Sequence, residues 1–346
     1  MSEVIVIGWV NHGRAAVCGE TMKNQLMIRK LEEFGVVCHI MDFYHWRRHP
    51  WVILRLLVAM LTRRHATILF STSAQNVYGM MRLMKRLGWK QRTIHWVIGG
   101  SLGDKVHNGT YRADVIGYIG HTLVESQAMV EQLEACGVKN VLQVPNFKPI
   151  PYLPTLTRHN DKIRFVFLSR IMPEKGCDYI LESLKMLNEK GHTDAFEVDF
   201  YGKVAESYKD IFEAKVAGMP NVHYAGFLNL MEQAGYDTLA QYDMMLFPTY
   251  WKGEGFAGVF IDAFVAGLPI LASDWAHNRE FLEEGRTALF VPVHNVPALA
   301  DKMEECLLGK HDLQGMAKHC QQETAKYDVN NVITKELLKK IELCTD

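Results

Sequence analysis

Three charged residues in the second half of this chain, Arg170, Lys175 and Glu254, have the types and surroundings to handle an anionic, hydroxyl-rich ligand. Arg170 and Lys175 belong to RIMPEKG (170–176), which follows an apolar run and precedes a helical pattern. A guanidinium can grip phosphate oxygens through two parallel N–H bonds and an ammonium adds a compact charge, so together they suit a diphosphate leaving group. Glu254 begins EGFAGVFID (254–262), after the run MMLF, Pro248 and the loop Thr249 to Gly253. The pattern predicts a helix opening at Glu254-Gly255-Phe256 and running through Asp262 to Ala266. Such a start offers unpaired backbone N–H groups to anions and sugar hydroxyls, and Gly255 and Gly258 let a ligand approach the backbone. Asp262 would then lie about two turns beyond Glu254 on the same face, so that two carboxylates address two parts of one ligand. Each residue alone also has a plainer reading: Glu254 as an acidic cap, Asp262 on a solvated face, Arg170 and Lys175 as solvated loop charges. Their combination favours the ligand.

The elements that must position these residues follow from apolar spacing. Val4–Gly8 is a short β-branched run, then a polar stretch containing Gly13 and Gly19 leads into a helical pattern from Glu20 to Phe34, closed by Gly35. Further strand-like runs at Val36–Met41, Thr67–Phe70, Thr93–Ile98 and Val115–Val124 alternate with helical stretches, as in a parallel sheet wound with crossover helices. Residues 145–161 (PNFKPIPYLPTLTRHND) carry four of the eleven prolines and no periodic apolar face, so they read as an interdomain linker. The alternation restarts with strands at Ile163–Leu168, Phe196–Tyr201, Val222–Tyr224, Met244–Phe247 and Pro269–Ala272, and a helix at Cys177–Lys190. A last helix is expected over Val329–Leu343.

The totals set the frame. A chain of 346 residues exceeds one ordinary core and suits two α/β domains. A hydrophobic content of 48% with 22% charged residues is that of a folded globular protein, and a net charge of -1 removes the basic excess of a dedicated nucleic-acid binder. Seven scattered cysteines without a CxxC pair read as reduced thiols, and the start MSEVIVIGWV reads as a first buried strand rather than a secretory signal, which makes the expected location cytoplasmic. No Asp-x-Asp pair or metal-ligand spacing is present, so metal independence is expected. The chain has no GxGxxG after its first strand and no Walker loop, which sets aside dehydrogenase and ATPase readings.

One segment stands apart. In residues 44–65 (YHWRRHPWVILRLLVAMLTRRH) an apolar run is bracketed by Arg47, Arg48, Arg63 and Arg64. It is too short to span a bilayer, for which about 20 apolar residues are needed. Residues 46–65 are a candidate for peripheral contact with the inner face of the membrane, with Trp46 and Trp51 at the interface. The competing expectation is an ordinary crossover helix buried on the sheet, since apolar residues occupy nearly every face.

The segments VLQVPNF, FLSRIMPEKGCDYILESL, FYGK, VHYAGFL and LFPTYWKGEGFAGVFIDAFVAGLPILASDWAHNREFLEEGRTALFV resemble the retaining GT-B glycosyltransferases of family 4, especially capsule, exopolysaccharide and lipopolysaccharide types. The resemblance covers nearly all of residues 141–310. Before them only the pattern is similar: a first strand, a loop with Gly13 and Gly19, and VIGGSLGD with Gly99 and Gly100. It implies an α/β fold of the GT-B kind, two Rossmann-like domains facing each other across a cleft. Residues 1–147 would form the acceptor-side domain, 148–161 the linker, and 162–326 the donor-nucleotide domain. Residues 327–346 would form a C-terminal helix, packing back on the first domain being one arrangement.

The resemblance further implies that Arg170 and Lys175 neutralise the donor diphosphate and that Glu254, with the backbone of Gly255, Phe256, Ala257 and Gly258, holds the transferred sugar. Gly202, Lys203, Phe227, Leu228, Val259 and Asp262 would complete the donor site, Asp262 taking the ribose hydroxyls. The family uses Glu-x7-Glu; this chain has Asp at the second place, one methylene shorter. The family's catalytic-region His has no clean counterpart, since VIGG occupies the place with His95 and His107 only nearby, and a lone His is more often structural. The implied reaction moves a sugar from a nucleoside diphosphate sugar, UDP- or GDP-linked, to a hydroxyl of a glycan or lipid-linked glycan, with retention and no cofactor. A GT-B sugar-nucleotide epimerase and a non-catalytic sugar-nucleotide-binding protein are the alternatives.

Overall fold

The computed structural model describes residues 2–156 and 161–344. Residues 157–160 of the expected linker, and the last two residues of the expected C-terminal helix, lie outside the described residues. The chain divides into two units, one of residues 1–149 with 326–346, the other of residues 150–325.

The first unit begins with β1 (Glu3–Gly8), α1 (Gly19–Glu33), β2 (Val37–Asp42), α2 (Trp51–Thr62), β3 (Thr67–Thr72) and α3 (Ala74–Arg86). It continues with β4 (Thr93–Val97), α4 (Leu102–His107), α5 (Ala113–Ile116), β5 (His121–Val124), α6 (Gln127–Ala135) and β6 (Val141–Gln143). All six strands are parallel, in the order β2-β1-β3-β4-β5-β6. A parallel sheet has helices on both faces, which is why β1 reads as an unbroken apolar run. Ile5 and Ile7 pack with residues of α2 and α3, while Val4 and Val6 pack with α1 on the other face.

The second unit runs β7 (Ile163–Leu168), α7 (Cys177–Glu189), β8 (Phe196–Tyr201), α8 (Lys209–Ala217), β9 (Val222–Gly226), α9 (Gln233–Leu239) and β10 (Met244–Phe247). Then come α10 (Gly258–Val265), β11 (Ile270–Ser273), α11 (Asn278–Phe281), β12 (Ala288–Val291), α12 (Val296–Leu307) and α13 (Leu313–Glu323). Its parallel strands lie in the order β12-β11-β10-β7-β8-β9, so the winding reverses between β7 and β10. In such sheets ligands bind beyond the carboxyl ends of the strands at that reversal.

Three sequence expectations need correction. Val115–Val124 is not one strand: Val115 and Ile116 end α5 with their side chains in the core, and β5 starts at His121. Gly120 lies between them, where an added Cβ would stand 2.8 Å from the Thr93 carbonyl. The single helix expected over Val329–Leu343 is two short ones, α14 (Val329–Val332) and α15 (Lys335–Lys340). Thr334 divides them because its hydroxyl accepts from the Leu337 N–H and begins a new helix. Both pack in the first unit, where Ile333, Leu338 and Ile341 join Val4, Val6 and Trp96; each such buried aliphatic contributes about 2 kcal/mol. Finally, α2 is not a buried crossover helix. It seats Val52, Leu56, Ala59 and Met60 on the sheet but leaves Trp51, Ile53, Leu54, Leu57, Val58 and Leu61 exposed. A twelve-residue helix against one sheet face has room to bury a single stripe. No helix among the described residues is long and apolar enough to cross a membrane.

His95 sits inside β4 with no exposure; its Nε2 lies 3.2 Å from the Thr72 carbonyl and its Nδ1 has no partner among the described residues. Burial lowers its pKa to about 4, so the folded chain holds it neutral. His107, at the end of α4, is exposed. The unfolded chain takes up a proton on His95 near pH 6.5 and the folded chain only near pH 4, so stability is lost as pH falls through that window. Denaturant titrations from pH 7 to 4 are expected to show this, and His95→Gln to reduce the slope by up to about 1.4 kcal/mol per pH unit; equal slopes would mean that His95 is not held neutral.

Candidate functional site

The reversal between β7 and β10 brings two loops together. Beyond β7 the chain passes Ser169 and Arg170, forms a 3-10 turn over Pro173–Lys175, and enters α7 through Gly176 at φ 81°. A Cβ at Gly176 would meet the Pro248 carbonyl at 2.2 Å, so this close approach and the left-handed backbone both require glycine. Beyond β10, Tyr250 donates its N–H to the Glu174 carbonyl at 3.0 Å and binds the second loop to the first.

Lys175 and Glu254, 79 residues apart, meet where the loops join. Lys175 Nζ donates to Glu254 Oε2 at 2.6 Å, with both side chains 9% exposed. The Thr249 hydroxyl stands 3.0 Å from the same oxygen, and the Lys175 ammonium lies 5.9 Å from the centre of the Phe247 ring. Arg170 remains exposed, its guanidinium 5.9 Å from the Trp251 ring. Trp251 is held by the Trp275 indole N–H, which donates to its carbonyl at 2.9 Å. Two of the three leading residues are therefore joined in a buried ion pair. The plainer reading of them as solvated charges holds for Arg170 alone.

The helix expected from Glu254 begins instead at Gly258, the first residue of α10. Residues 254–257 form a loop, with the Glu254 N–H donating to the Trp251 carbonyl at 3.1 Å and the Ala257 backbone extended at φ -65° and ψ 118°, which prevents a helix continuous from Glu254. Glu254 and Asp262 thus share no helical face. Asp262 is 2% exposed and accepts the Tyr236 hydroxyl at 2.9 Å; burial, then the Asp262 charge, raises the Tyr236 pKa well above the usual phenol value. The Asp262 carboxylate is therefore buried rather than on a solvated face. Phe256 and Ala257 are buried, Phe256 stacking on Phe281 at 4.3 Å, while Gly255, Gly258 and Val259 stay partly open.

The remaining candidates stand on neighbouring loops. Gly202, at φ 137° after β8, would push a Cβ to 1.8 Å from the Ser169 carbonyl, which fixes glycine there. Lys203 is exposed and its carbonyl accepts the Ile171 N–H at 3.0 Å. Phe227 is 83% exposed after β9, with Leu228 half-buried beside it. Residue-by-residue reading gave no role to Thr249, Trp251 or Trp275, although the first two stand in the string LFPTYW at the end of a buried strand. Among the described residues no group of three or more His, Cys, Asp or Glu side chains could hold a metal ion.

The first unit reverses between β1 and β3 and gathers its own polar residues there. Asn24 of α1 is fully buried and donates to the carbonyls of Trp9 and Ser71 at 2.9 and 3.0 Å. Lys23 and Glu125 form a second buried ion pair at 2.6 Å, which the sequence offered no signal to find. Burial raises the Glu20 carboxyl pKa at the start of α1, opposed by the Thr72 hydroxyl and the Trp9 backbone. Gly13 and Gly99, both at positive φ, lie in the loops beyond β1 and β4; Gly19 begins α1 and Gly100 follows Gly99.

Residues 162–308 match the family model for glycosyl transferases, group 1. A phosphatidyl-myo-inositol mannosyltransferase of Mycobacterium leprae is 27% identical over 218 residues, 61% of this chain and 56% of that protein. An uncharacterized 41.2 kDa protein in the cps region of Klebsiella pneumoniae is 27% identical over 144 residues, 42% of this chain and 37% of that one. The chain thus spans about half or less of the length of these relatives. Among solved structures, HepE of Anabaena, in complex with UDP, superposes with a TM-score of 0.71 over 99% of this chain and 100% of its own, at 12% identity. The fold is that of the GT-B glycosyltransferases, two α/β units each built on a six-stranded parallel sheet.

Removing one partner of the Lys175–Glu254 pair leaves a buried charge unpaired. Lys175→Met and Glu254→Gln are each expected to cost about 3–5 kcal/mol, and the double variant less than their sum. Unfolding curves of the four proteins test this, and additive losses would mean that the pair is not coupled.

Proposed function

We propose that this chain is a glycosyltransferase that moves a hexose from a nucleoside diphosphate sugar to an acceptor hydroxyl with retention of anomeric configuration. The observation that carries the reading is the buried Lys175–Glu254 pair beside exposed Arg170, at the sheet reversal within the stretch that matches group 1 glycosyl transferases. Lys175 commits one N–H to Glu254 and has two more for a diphosphate. Arg170 offers a fork donor from the same loop. Fixed positive charge at a departing diphosphate is the largest electrostatic contribution such a site can make. Glu254 places Oε2 on Lys175 and Thr249, which leaves Oε1 to accept a sugar hydroxyl.

The bond between the sugar C1 and the phosphate oxygen breaks, and the diphosphate leaves with the electron pair. The acceptor oxygen bonds C1 on the same face and its proton passes to a phosphate oxygen, so no protein nucleophile is required. Gly202, Gly255 and Gly258 let the donor approach the backbone, Lys203 adds charge, and Phe227 with Leu228 offers an apolar surface to the base. Phe256 and Ala257 shape the loop, and Val259 opens α10. A ribose contact by Asp262 would add to, or replace, the Tyr236 hydroxyl that its Oδ1 accepts.

The donor nucleotide is proposed as UDP or GDP; a complex of HepE with UDP supports the former. The acceptor is proposed as a glycan or lipid-linked glycan, in keeping with the phosphatidyl-myo-inositol relative and the one from a cps region. With charge supplied by Arg170 and Lys175, the proposed reaction takes no metal and proceeds on the cytoplasmic side.

Purified protein supplied with a sugar-nucleotide panel and a glycan acceptor should release nucleoside diphosphate, with and without EDTA. Lys175→Ala and Glu254→Ala should each lower turnover by about 10²–10³. Full activity in both variants would sink the assignment. Conversion of donor without acceptor would make the protein an epimerase, and binding without turnover a scaffold.

A further inference from the structure

We propose that the exposed face of α2, with the basic residues around it, docks the first unit on an anionic lipid bilayer. The inference is independent of the donor site and of the reaction.

An ordinary surface helix buries an apolar stripe and turns polar residues to water. On α2 the buried stripe is Val52, Leu56, Ala59 and Met60, yet the opposite face is also apolar. Trp51 is 73% exposed, and Leu54, Leu57, Val58 and Leu61 each more than half. Arg55 and Thr62 are the polar positions of this helix, and they stand at one margin of the exposed arc. A contiguous exposed apolar face of this kind marks an interaction site.

Charge identifies the occupant. Residues 43–103 contain ten Lys and Arg and no Asp or Glu, in a chain whose net charge is -1. Glu3 pairs with Arg63, Asp114 with Lys85, and Glu342 with Arg92. Arg47 and Arg48 before α2, Arg55 on it, Arg64 after it, and Lys90 make no ion pair among the described residues. A cavity lined by Arg64, Leu87, Trp89 and Lys90 extends the cationic, apolar surface beyond the end of α2. A protein partner would need a matching acidic rim around an apolar groove. A bilayer presents anionic phosphates above hydrocarbon, so Trp51, Leu54, Leu57 and Leu61 enter the headgroup boundary while the arginines meet phosphates.

The full chain is sedimented with vesicles of phosphatidylcholine alone and of phosphatidylcholine with phosphatidylglycerol, at low and high salt. Binding is expected only with the anionic lipid and to weaken with salt. Leu54→Glu with Leu57→Glu should abolish it, and Arg47→Gln, Arg48→Gln and Arg64→Gln together should weaken it by roughly tenfold or more. These positions are exposed, so the melting temperature should stay near that of the parent; quenching of Trp fluorescence by brominated lipid, lost in Trp51→Ala, reads the insertion directly. Absence of binding to anionic vesicles, or binding indifferent to the α2 and arginine variants, overturns the proposal. So does a dimer in light scattering that Leu54→Glu with Leu57→Glu renders monomeric, since the face would then belong to a second copy. Transfer to a water-soluble acceptor should be unchanged in all these variants, which separates this proposal from the fate of the catalytic reading.

Discussion

The arrangement of the second unit turns on one buried ion pair. Lys175 and Glu254 come from loops that follow β7 and β10, and their contact at 2.6 Å exists only because those strands are neighbours at the sheet reversal. Burying two charges is costly unless each finds the other and further hydrogen bonds complete them. Here Thr249 adds a donor to the carboxylate, the Tyr250 N–H binds the Glu174 carbonyl, and Gly176 gives up a side chain so that the loops can touch. Each of these serves the same local condition.

That condition has a functional side. A lysine held by one carboxylate oxygen keeps donors in reserve, and the carboxylate keeps a second oxygen. The pair is therefore preorganised rather than consumed, and exposed Arg170 beside it provides charge without burial cost. Asp262 follows a different logic. Its carboxylate serves the Tyr236 hydroxyl inside the unit, with α10 beginning four residues after Glu254.

The first unit spends its polar residues similarly, with Asn24 bonding two strand-end carbonyls and Lys23 bonding Glu125. Its outer surface differs. Burial on the sheet accounts for one stripe of α2, and the opposite apolar stripe is left to water unless something else covers it. The absence of acidic residues across 43–103 leaves that surface positive although the chain as a whole is near neutral.

Local pattern was enough to locate most strands, to divide the chain near residue 150, and to single out Arg170, Lys175 and Glu254, because parallel strands buried on both faces and charges at loop starts both leave short-range signatures. It misjudged Val115–Val124, where a β-branched pair ends a helix, and the C-terminal helix that Thr334 splits in two. Sequence alone also could not start α10 at Gly258, where the extended backbone of Ala257 ends the loop, nor pair Lys175 with Glu254 or Lys23 with Glu125. Those partnerships span 79 and 102 residues and depend on strand order, which is a property of the assembled sheet. The exposure of α2 belongs to the same class: its residues are apolar on every side, and only packing against one sheet face decides which of them remain in water.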